Sequence, residues 1–128
     1  MKTIIAGSRD ITSMRELEAA IADCGWEITQ VVSGRAIGVD TLGEEWANSK
    51  GLPIDYHPAD WDQYGKAAGY RRNAEMAACS EALIVLWNGT SKGTAHMMKC
   101  AEQKGLKIHV RMVTGENKFT RCVIGRGL

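Results

Sequence analysis

The sequence lacks a surplus of charge of either sign. Its 128 residues include 16 basic and 15 acidic side chains, which leave a formal net charge of +1. Proteins that hold a nucleic-acid backbone or an anionic membrane over a broad surface usually carry a clear excess of positive charge. The composition therefore argues against a nucleic-acid or membrane partner, and any site for an anion must be local.

Long apolar runs and paired cysteines are also missing. The apolar run at residues 3–6 is too short for a signal peptide or a membrane span, so we expect a cytoplasmic protein. The four cysteines stand far apart, with no C-x-x-C pair and no paired histidine spacing, at Cys24, Cys79, Cys100 and Cys122. This spacing predicts neither a disulfide framework nor a zinc site, and we expect no metal or cofactor.

What the chain does contain is an alternation of short apolar, β-branched runs with helical patterns. The strand candidates are residues 3–6, 28–32, 53–56, 82–87 and 107–112. Such alternation predicts an α/β fold: a Rossmann-like three-layer domain with a parallel sheet of about five strands. The run at residues 82–87 is apolar at every position, which is typical of a central strand covered on both faces.

Helix signals separate these strands. Capping boxes at Ser13 with Glu16 and at Thr41 with Glu44 predict the starts of the first two helices. The third helix is expected over residues 67–79 and the fourth over residues 94–104. The link at 58–66 contains two aromatic residues, and it either forms a lid or wall of a pocket or packs these aromatics on the sheet surface. One domain is expected over residues 1–113, followed by an irregular tail at 114–128.

Three glycine-bearing turns follow predicted strands. They are Gly7-Ser8-Arg9, the stretch from Ser33 to Gly38, and the stretch from Asn88 to Thr94. The carboxyl ends of parallel strands share one edge of the sheet, where open α/β sheets bind ligands. Glycine permits close backbone approach, and free N–H groups at a helix start favour phosphate. Each turn alone is ordinary turn chemistry, but together they predict a site for a phosphate-bearing ligand, although no P-loop or G-x-G-x-x-G motif is present.

Several cations lie in or near these turns. The set comprises Arg9, Arg35, Lys66, Arg71, Arg72 and Lys92. The planar fork of arginine suits phosphate or carboxylate. For Arg35, Lys66, Arg71 and Lys92, the sequence leaves a solvated surface charge as an equal alternative. Arg72 stands four residues before Met76 on one helical face, which favours a place in the site.

The motifs taken together resemble the YspA-like branch of the SLOG superfamily. Those that carry the resemblance are Gly7-Ser8-Arg9, Ser33-Gly34-x-Ala36-x-Gly38-x-Asp40, Pro58-Ala59-Asp60-Trp61, Gly69-x-x-Arg72-Asn73-x-x-Met76 and Ser91-Lys92-Gly93-Thr94. These Rossmann-like proteins are related to Lonely-guy enzymes and to the DNA-processing Smf proteins, and the branch is frequent in bacteria and phages. The resemblance extends over residues 1–113.

The resemblance implies a nucleotide or nucleotide-derived ligand, with its phosphate at Gly93 and Thr94. The ligand-binding residues that it suggests, with the cations above, are Gly7, Ser8, Arg9, Ser33, Gly34, Gly38, Asp40, Arg72, Asn73, Lys92, Gly93 and Thr94. The role of Asp40 stays open between contact with a ribose hydroxyl and capping of the second helix.

Whether the ligand is turned over is left open. Lonely-guy enzymes resemble this chain at Arg72 and Met76, but their pattern places a catalytic glutamate where this sequence has Met97. The remaining acid or base candidates are Asp40, Glu75 and His96. We therefore expect binding or sensing of a nucleotide-like molecule. A hydrolase that cleaves an N-glycosidic or phosphate bond is the alternative, and a DNA-associated module is the third hypothesis. Helices rich in Met and Ala are compatible with a homo-oligomer, although core packing is the commoner use of such stripes.

Overall fold

The computed structural model describes residues 1–113 and the backbone of residues 120–124. The strands are β1 (Lys2–Gly7), β2 (Gln30–Ser33), β3 (Ile54–Tyr56), β4 (Ala82–Trp87), β5 (Lys107–Val113) and β6 (Thr120–Ile124). The helices are α1 (Met14–Asp23), α2 (Val39–Lys50), α3 (Trp61–Tyr64), α4 (Ala68–Cys79) and α5 (Lys92–Gln103), with a 3₁₀ turn at Gly65–Ala67 between α3 and α4.

The strands form one sheet in the order β3-β2-β1-β4-β5-β6. The first five strands run parallel, and β6 pairs antiparallel with β5. The chain builds outward from β1 to β3, then crosses back and continues from β4 on the other side. This reversal creates a switch point at the carboxyl ends of β1 and β4, where open sheets of this kind bind ligands.

Two apolar cores cover the two faces of the sheet. On one face, α1 and α2 pack through Leu17 and Trp46 against strand residues such as Ile84. On the other face, α4 and α5 bury Met76 and Met97 against the sheet. The predicted Rossmann-like three-layer arrangement is therefore confirmed. Residues 82–86 are all buried, as expected of a central strand.

The capping boxes are wrong in detail. Ser13 is the N-cap of α1 but makes no side-chain capping bond, and the Glu16 side chain accepts a 2.8 Å hydrogen bond from Arg111 in β5. Helix α2 begins two residues before Thr41, with Gly38 as its N-cap, and Glu44 accepts a hydrogen bond from Ser33. In both places a distant polar partner takes the glutamate that a local capping box would have used.

The predicted irregular tail also needs correction. Its residues Thr120–Ile124 form β6, which is paired with β5 over the register from Val113↔Thr120 to His109↔Ile124. An edge strand leaves a row of unpaired backbone groups, and an antiparallel neighbour satisfies one side of that row. Residues 114–119 and 125–128 of the predicted tail lie outside the described part of the chain. Among the described helices, none has both the length and the apolar character needed to span a bilayer.

Candidate functional site

A cleft opens at the switch point of the sheet. It consists of a cavity of about 250 Å³ and an adjoining cavity of about 280 Å³. The predicted ligand residues that line the first cavity are Gly7, Arg9, Asp40, Arg72, Asn73, Gly93 and Thr94, and Gly34 lines the second. Ser8, Ser33, Gly38 and Lys92 were predicted as ligand residues too, but they belong to the lining of neither cavity.

The two serines brace the turns from behind. The Ser8 side chain is buried, and its hydroxyl oxygen accepts a 3.0 Å hydrogen bond from the backbone N–H of Asn88. This bond ties the turn after β1 to the turn after β4. The Ser33 hydroxyl donates to Glu44 at 2.6 Å and accepts from the N–H of Arg35 at 3.1 Å, which fixes the turn after β2 on α2.

Two glycines allow the turn after β1 to sit close to its neighbours. A Cβ on Gly7 would overlap the carbonyl oxygen of Leu86 and lie 2.7 Å from a Val39 methyl group. Gly38 has φ +84, and a Cβ there would lie 2.6 Å from the carbonyl oxygen of Ser8. Gly38 thus positions the turn after β1, because the start of α2 can meet that turn only without a side chain at this position.

The predicted phosphate position is at the start of α5. Ser91 is its N-cap, and the Ser91 hydroxyl accepts from the N–H of Thr94 at 3.3 Å and lies 2.9 Å from the Thr94 hydroxyl. Apart from its chain neighbours and the backbone of its own helix, no heavy atom lies within 4 Å of the place where a Gly93 Cβ would stand. First-turn N–H groups of a helix lack intrahelical partners, and the helix dipole favours an anion there. The open space above Gly93 therefore lies at a position suited to an oxyanion.

Arg72 joins the two sides of the cleft. Its Nη1 donates to the carbonyl oxygen of Gly34, and its Nε donates to Asn73 Oδ1 at 3.1 Å. Burial lowers the pKa of Arg72, with a smaller lowering from Arg9, while the Asp40 carboxylate acts in the opposite sense. Half-buried and bonded in this way, the guanidinium holds the turn after β2 against α4.

Asp40 is a buried carboxyl group in the cleft wall. Its Oδ2 accepts a 3.2 Å hydrogen bond from the N–H of Ala36, so it holds the loop before α2 and does not occupy the N-cap position. Burial raises the pKa of Asp40 to about 6, although the Ala36 N–H and the Arg72 guanidinium both act to lower it. Among the described residues that line the first cavity, Asp40 is the only acidic one.

The other acid and base candidates lie outside the cleft lining. Glu75 is an exposed residue of α4. The His96 ring packs against Tyr70 at a centroid distance of 4.4 Å, and its Nδ1 lies 3.2 Å from the Asn73 amide nitrogen. Burial lowers the pKa of His96, which favours the neutral ring. Met97, at the position of the Lonely-guy glutamate, is a buried apolar residue of the cavity lining.

Comparison with known proteins identifies the family. The family model described as "YspA, cpYpsA-related SLOG family" matches residues 1–64, half of the chain. The chain belongs to this SLOG family. Its similarity to the gene 61 protein of Mycobacterium phage D29 amounts to 36% identity over 84 residues, which covers 61% of this chain and 67% of that protein. Family membership connects the chain with nucleotide-related ligand binding or a related activity.

Aromatic side chains complete the cleft of this SLOG protein. Trp61, at the start of α3, is 52% exposed and lines both cavities, so the link at 58–66 forms a wall. Tyr64 from the same link instead stacks with Arg71, whose guanidinium carbon lies 3.9 Å from the ring centroid. Tyr70 also lines the first cavity, and sequence reasoning missed it. A signal was present, because Tyr70 stands three residues before Asn73 and thus shares its helical face.

The remaining predicted cations lie in two different settings. Lys66 lines the first cavity, as does Arg9, and within the described residues neither side chain forms an ion pair or a hydrogen bond. Arg35 stacks over the Tyr56 ring at 4.7 Å and lies 3.6 Å from a Glu44 oxygen. The cleft of this SLOG protein thus has local positive charge in a nearly neutral chain.

Proposed function

We propose that the cleft binds a nucleotide or nucleotide derivative that carries at least one phosphate. The observation that carries the proposal is the convergence of Arg9, Lys66 and Arg72 with the start of α5 on one cavity. The whole chain has a formal net charge of only +1, so this concentration of positive charge is local. An anionic ligand would gain from each of these groups.

The phosphate is proposed to lie above Gly93. The absence of a side chain leaves space there, and the first turn of a helix is a favourable position for an oxyanion. Arg9 is exposed and has no ion-pair partner among the described residues, so its guanidinium is available to the same phosphate. Arg72 is bonded to Gly34 and Asn73, which suits it to a positioning role beside the ligand.

The rest of the ligand is proposed to lie between Trp61 and the apolar floor. Trp61 presents an exposed ring suited to stacking on a base. Met76 and Met97 form a floor without charge, and Asp40 provides an oxygen that can accept from a ribose hydroxyl. The two adjoining cavities together reach the range of about 300–1,000 Å³ that is typical of small-molecule sites.

The experiment is a ligand panel read by thermal unfolding of the full chain. AMP, GMP, cyclic nucleotides, ADP-ribose and NAD are compared with nucleosides that lack phosphate. A ligand at 100 times its Kd stabilises a protein by about 2.7 kcal/mol, which raises the Tm of a domain of this size by several degrees. We expect such a shift from a phosphate-bearing compound, its loss in Arg9→Ala, and its retention in Lys92→Ala, where the exposed cation lies outside the cleft lining. Absence of a shift with every compound would contradict the proposal.

Gly93→Ala separates binding from folding. The added methyl group meets no protein atom within 4 Å, and alanine restricts the unfolded chain more than glycine does. We expect the free energy of unfolding without ligand to rise by about 0.4–1 kcal/mol. We also expect nucleotide affinity to fall at least tenfold, because the methyl group occupies the phosphate position. Calorimetric titration of this variant beside the wild type measures the affinity, and unchanged affinity would move the phosphate away from α5.

A hydrolase is the second candidate, and Asp40 is the observation that favours it. A buried carboxyl group with a pKa of about 6 in a ligand cleft suits general acid or base chemistry near neutral pH. Incubation with nucleoside monophosphates or NAD, followed by chromatography, tests for released base or phosphate. Turnover that disappears in Asp40→Asn supports this candidate, and absence of product for compounds that bind leaves the protein as a binding or sensing module.

A further inference from the structure

A second group of polar side chains lies outside the cleft, on the edge strand β3 and the last residue of α4. Asp55 is in β3, His57 is the first residue after β3, and Cys79 is the last residue of α4. One potential ligand atom from each residue lies within 4.8 Å of the other two. Residues two apart along an extended strand share a face, which explains how Asp55 and His57 meet Cys79 together. The cluster is invisible as a sequence motif because the helix separates its members.

The three donor atoms converge on one point. His57 Nε2 lies 3.0 Å from Asp55 Oδ2 and 3.7 Å from Cys79 Sγ, and that sulfur lies 3.9 Å from the same carboxylate oxygen. A nucleophilic Cys–His–Asp arrangement would instead place its two partners on opposite ring nitrogens of the histidine. Here the same nitrogen faces both partners, so the geometry does not suit a proton relay.

The distances suit a shared metal ion. Tetrahedral zinc, with bonds of about 2.0–2.3 Å, sets its N, O and S ligands about 3.3–3.6 Å apart. The three observed separations, from 3.0 to 3.9 Å, bracket that range. A thiolate with an imidazole is a donor set that favours zinc over magnesium or calcium, which prefer oxygen ligands. We propose that Asp55, His57 and Cys79 bind one Zn²⁺ ion, with water in the fourth position because Cys79 is exposed.

Lys2 is the natural competitor of that ion. Its ammonium nitrogen lies 3.0 Å from Asp55 Oδ2, the oxygen that belongs to the cluster. A bound divalent ion and the ammonium group would repel each other at this distance, so Lys2 must move away when the metal binds. Replacement of Lys2 by a neutral residue is therefore expected to strengthen zinc binding. If Asp55 served only as the ion-pair partner of Lys2, the same replacement would lower the free energy of unfolding and would not affect zinc.

The proposed ion also connects elements that form the cleft. His57 precedes Pro58, which lines the second cavity, and Cys79 ends the helix that carries Arg72. Zinc would thus link β3 to α4 and stabilise their packing. This inference does not depend on nucleotide binding, because the cluster has its own residues and its own test.

The test is titration of the reduced, metal-free full chain with Zn²⁺, and with Co²⁺ as a spectroscopic probe. We expect one equivalent of zinc to bind and to raise the Tm, and Co²⁺ to give tetrahedral visible bands with a thiolate-to-metal charge-transfer band. Cys79→Ser and His57→Asn are expected to weaken binding at least tenfold, and Lys2→Gln to strengthen it. Cys24→Ser is the control, since Cys24 lies outside the cluster.

Three results would overturn the proposal. They are no stoichiometric binding by the wild type, equal affinity in Cys79→Ser, or a loss of binding caused by His96→Asn in place of His57→Asn. The third result would assign the metal to the His96 and Cys100 pair in α5, where Cys100 Sγ lies 3.6 Å from His96 Nε2. Urea unfolding of each variant without metal shows whether it retains the fold, and the exposed position of Cys79 makes its serine variant the more tolerant of the two.

Discussion

At the scale of single residues, Asp40 is a buried group in the cleft that lowers the free energy of unfolding. This residue is only 5% exposed, and burial dominates the rise of its pKa to about 6. Ionised at neutral pH, it lies in surroundings that favour its neutral form. Such a residue lowers the free energy of unfolding, and perturbed ionisable groups of this kind concentrate at functional sites. This cost is consistent with a role in ligand binding.

Asp40→Asn is expected to relieve this cost in a pH-dependent way. The pKa of Asp40 in the folded state lies above the unfolded value of 3.8. Protonated Asp40 therefore contributes its full stabilisation of the fold below pH 3.8, and this contribution is lost as the pH rises through 6. Asparagine stays neutral throughout. We expect the variant to match the wild type near pH 4.5 and to exceed its free energy of unfolding by on the order of 1–3 kcal/mol at pH 8. Urea unfolding across this range measures the difference, and parallel pH profiles of the two proteins would contradict the argument.

Part of the site was predictable at this scale, and part was not. The ends of parallel strands meet at one edge of the sheet, and the sequence shows directly which residues follow predicted strands. This explains why the predicted residues Gly7, Arg9, Asp40 and Gly93 line the cleft. The turn-stabilising role of Ser8 could not be predicted from the sequence, because a serine hydroxyl can stabilise a turn or bind a ligand equally well. The cluster of Asp55, His57 and Cys79 escaped prediction because its residues meet only through the packing of α4 beside β3.

At the scale of elements, the contact between the β1 turn and the start of α2 controls the shape of the cleft. Gly38 precedes α2 with φ +84 and lies against the backbone of Ser8 and Arg9. The sequence predicted β1 to β5 and helices α1, α2, α4 and α5 to within about two residues, but it missed α3 and placed the start of α2 at Thr41. A capping box is a local signal, whereas the position of Gly38 depends on a neighbour about thirty residues away in the chain.

Gly38→Ala and Gly51→Ala form a matched pair. Both glycines have positive φ, which disfavours alanine, but only Gly38 would place its Cβ against backbone, at 2.6 Å from the Ser8 oxygen. We expect Gly51→Ala to lower the free energy of unfolding by about 1 kcal/mol, and Gly38→Ala to lower it by about 2–4 kcal/mol through added steric strain. Chemical denaturation measures both values.

The pair also separates stability from binding. Gly38→Ala is expected to weaken the nucleotide affinity because it displaces the turn that carries Arg9, whereas Gly51→Ala should leave it unchanged. Similar free energies of unfolding for the two variants would mean that the β1 turn adapts freely to the start of α2.

At the scale of the whole molecule, the sheet has one strand more than the five that the sequence predicted. Five parallel strands followed from the alternation of apolar runs with helices, but the strand order did not, because sheet neighbours are set by contacts between distant segments. The sixth strand was missed because residues 114–128 have no clear hydrophobic period and contain three glycines. A cytoplasmic location, a homo-oligomer and a DNA-associated role stay predictions.

The sixth strand leads to a prediction about truncation. A chain that ends at Val113 leaves β5 as an open edge, with unpaired N–H and C=O groups where β6 was bound. Exposed edges pair with other chains, so we expect a lower free energy of unfolding and concentration-dependent association. Size-exclusion chromatography with urea unfolding compares this variant with a chain that ends at Ile124 and keeps β6. Identical behaviour of the two truncated chains would mean that β6 contributes nothing to the sheet.

The Trp61 wall has a consequence for how proteins of this fold diversify. Under the proposed function, the phosphate is held by strand ends and the start of α5, which the sheet itself fixes. The stacking face proposed for the base comes from one short connection between β3 and α4, whose α3 has no buried residue. On this proposal, changes in that connection would alter ligand preference without disturbing either apolar core. Specificity would then be a separable module, and grafting residues 58–66 from a relative tests whether its ligand choice is transferred.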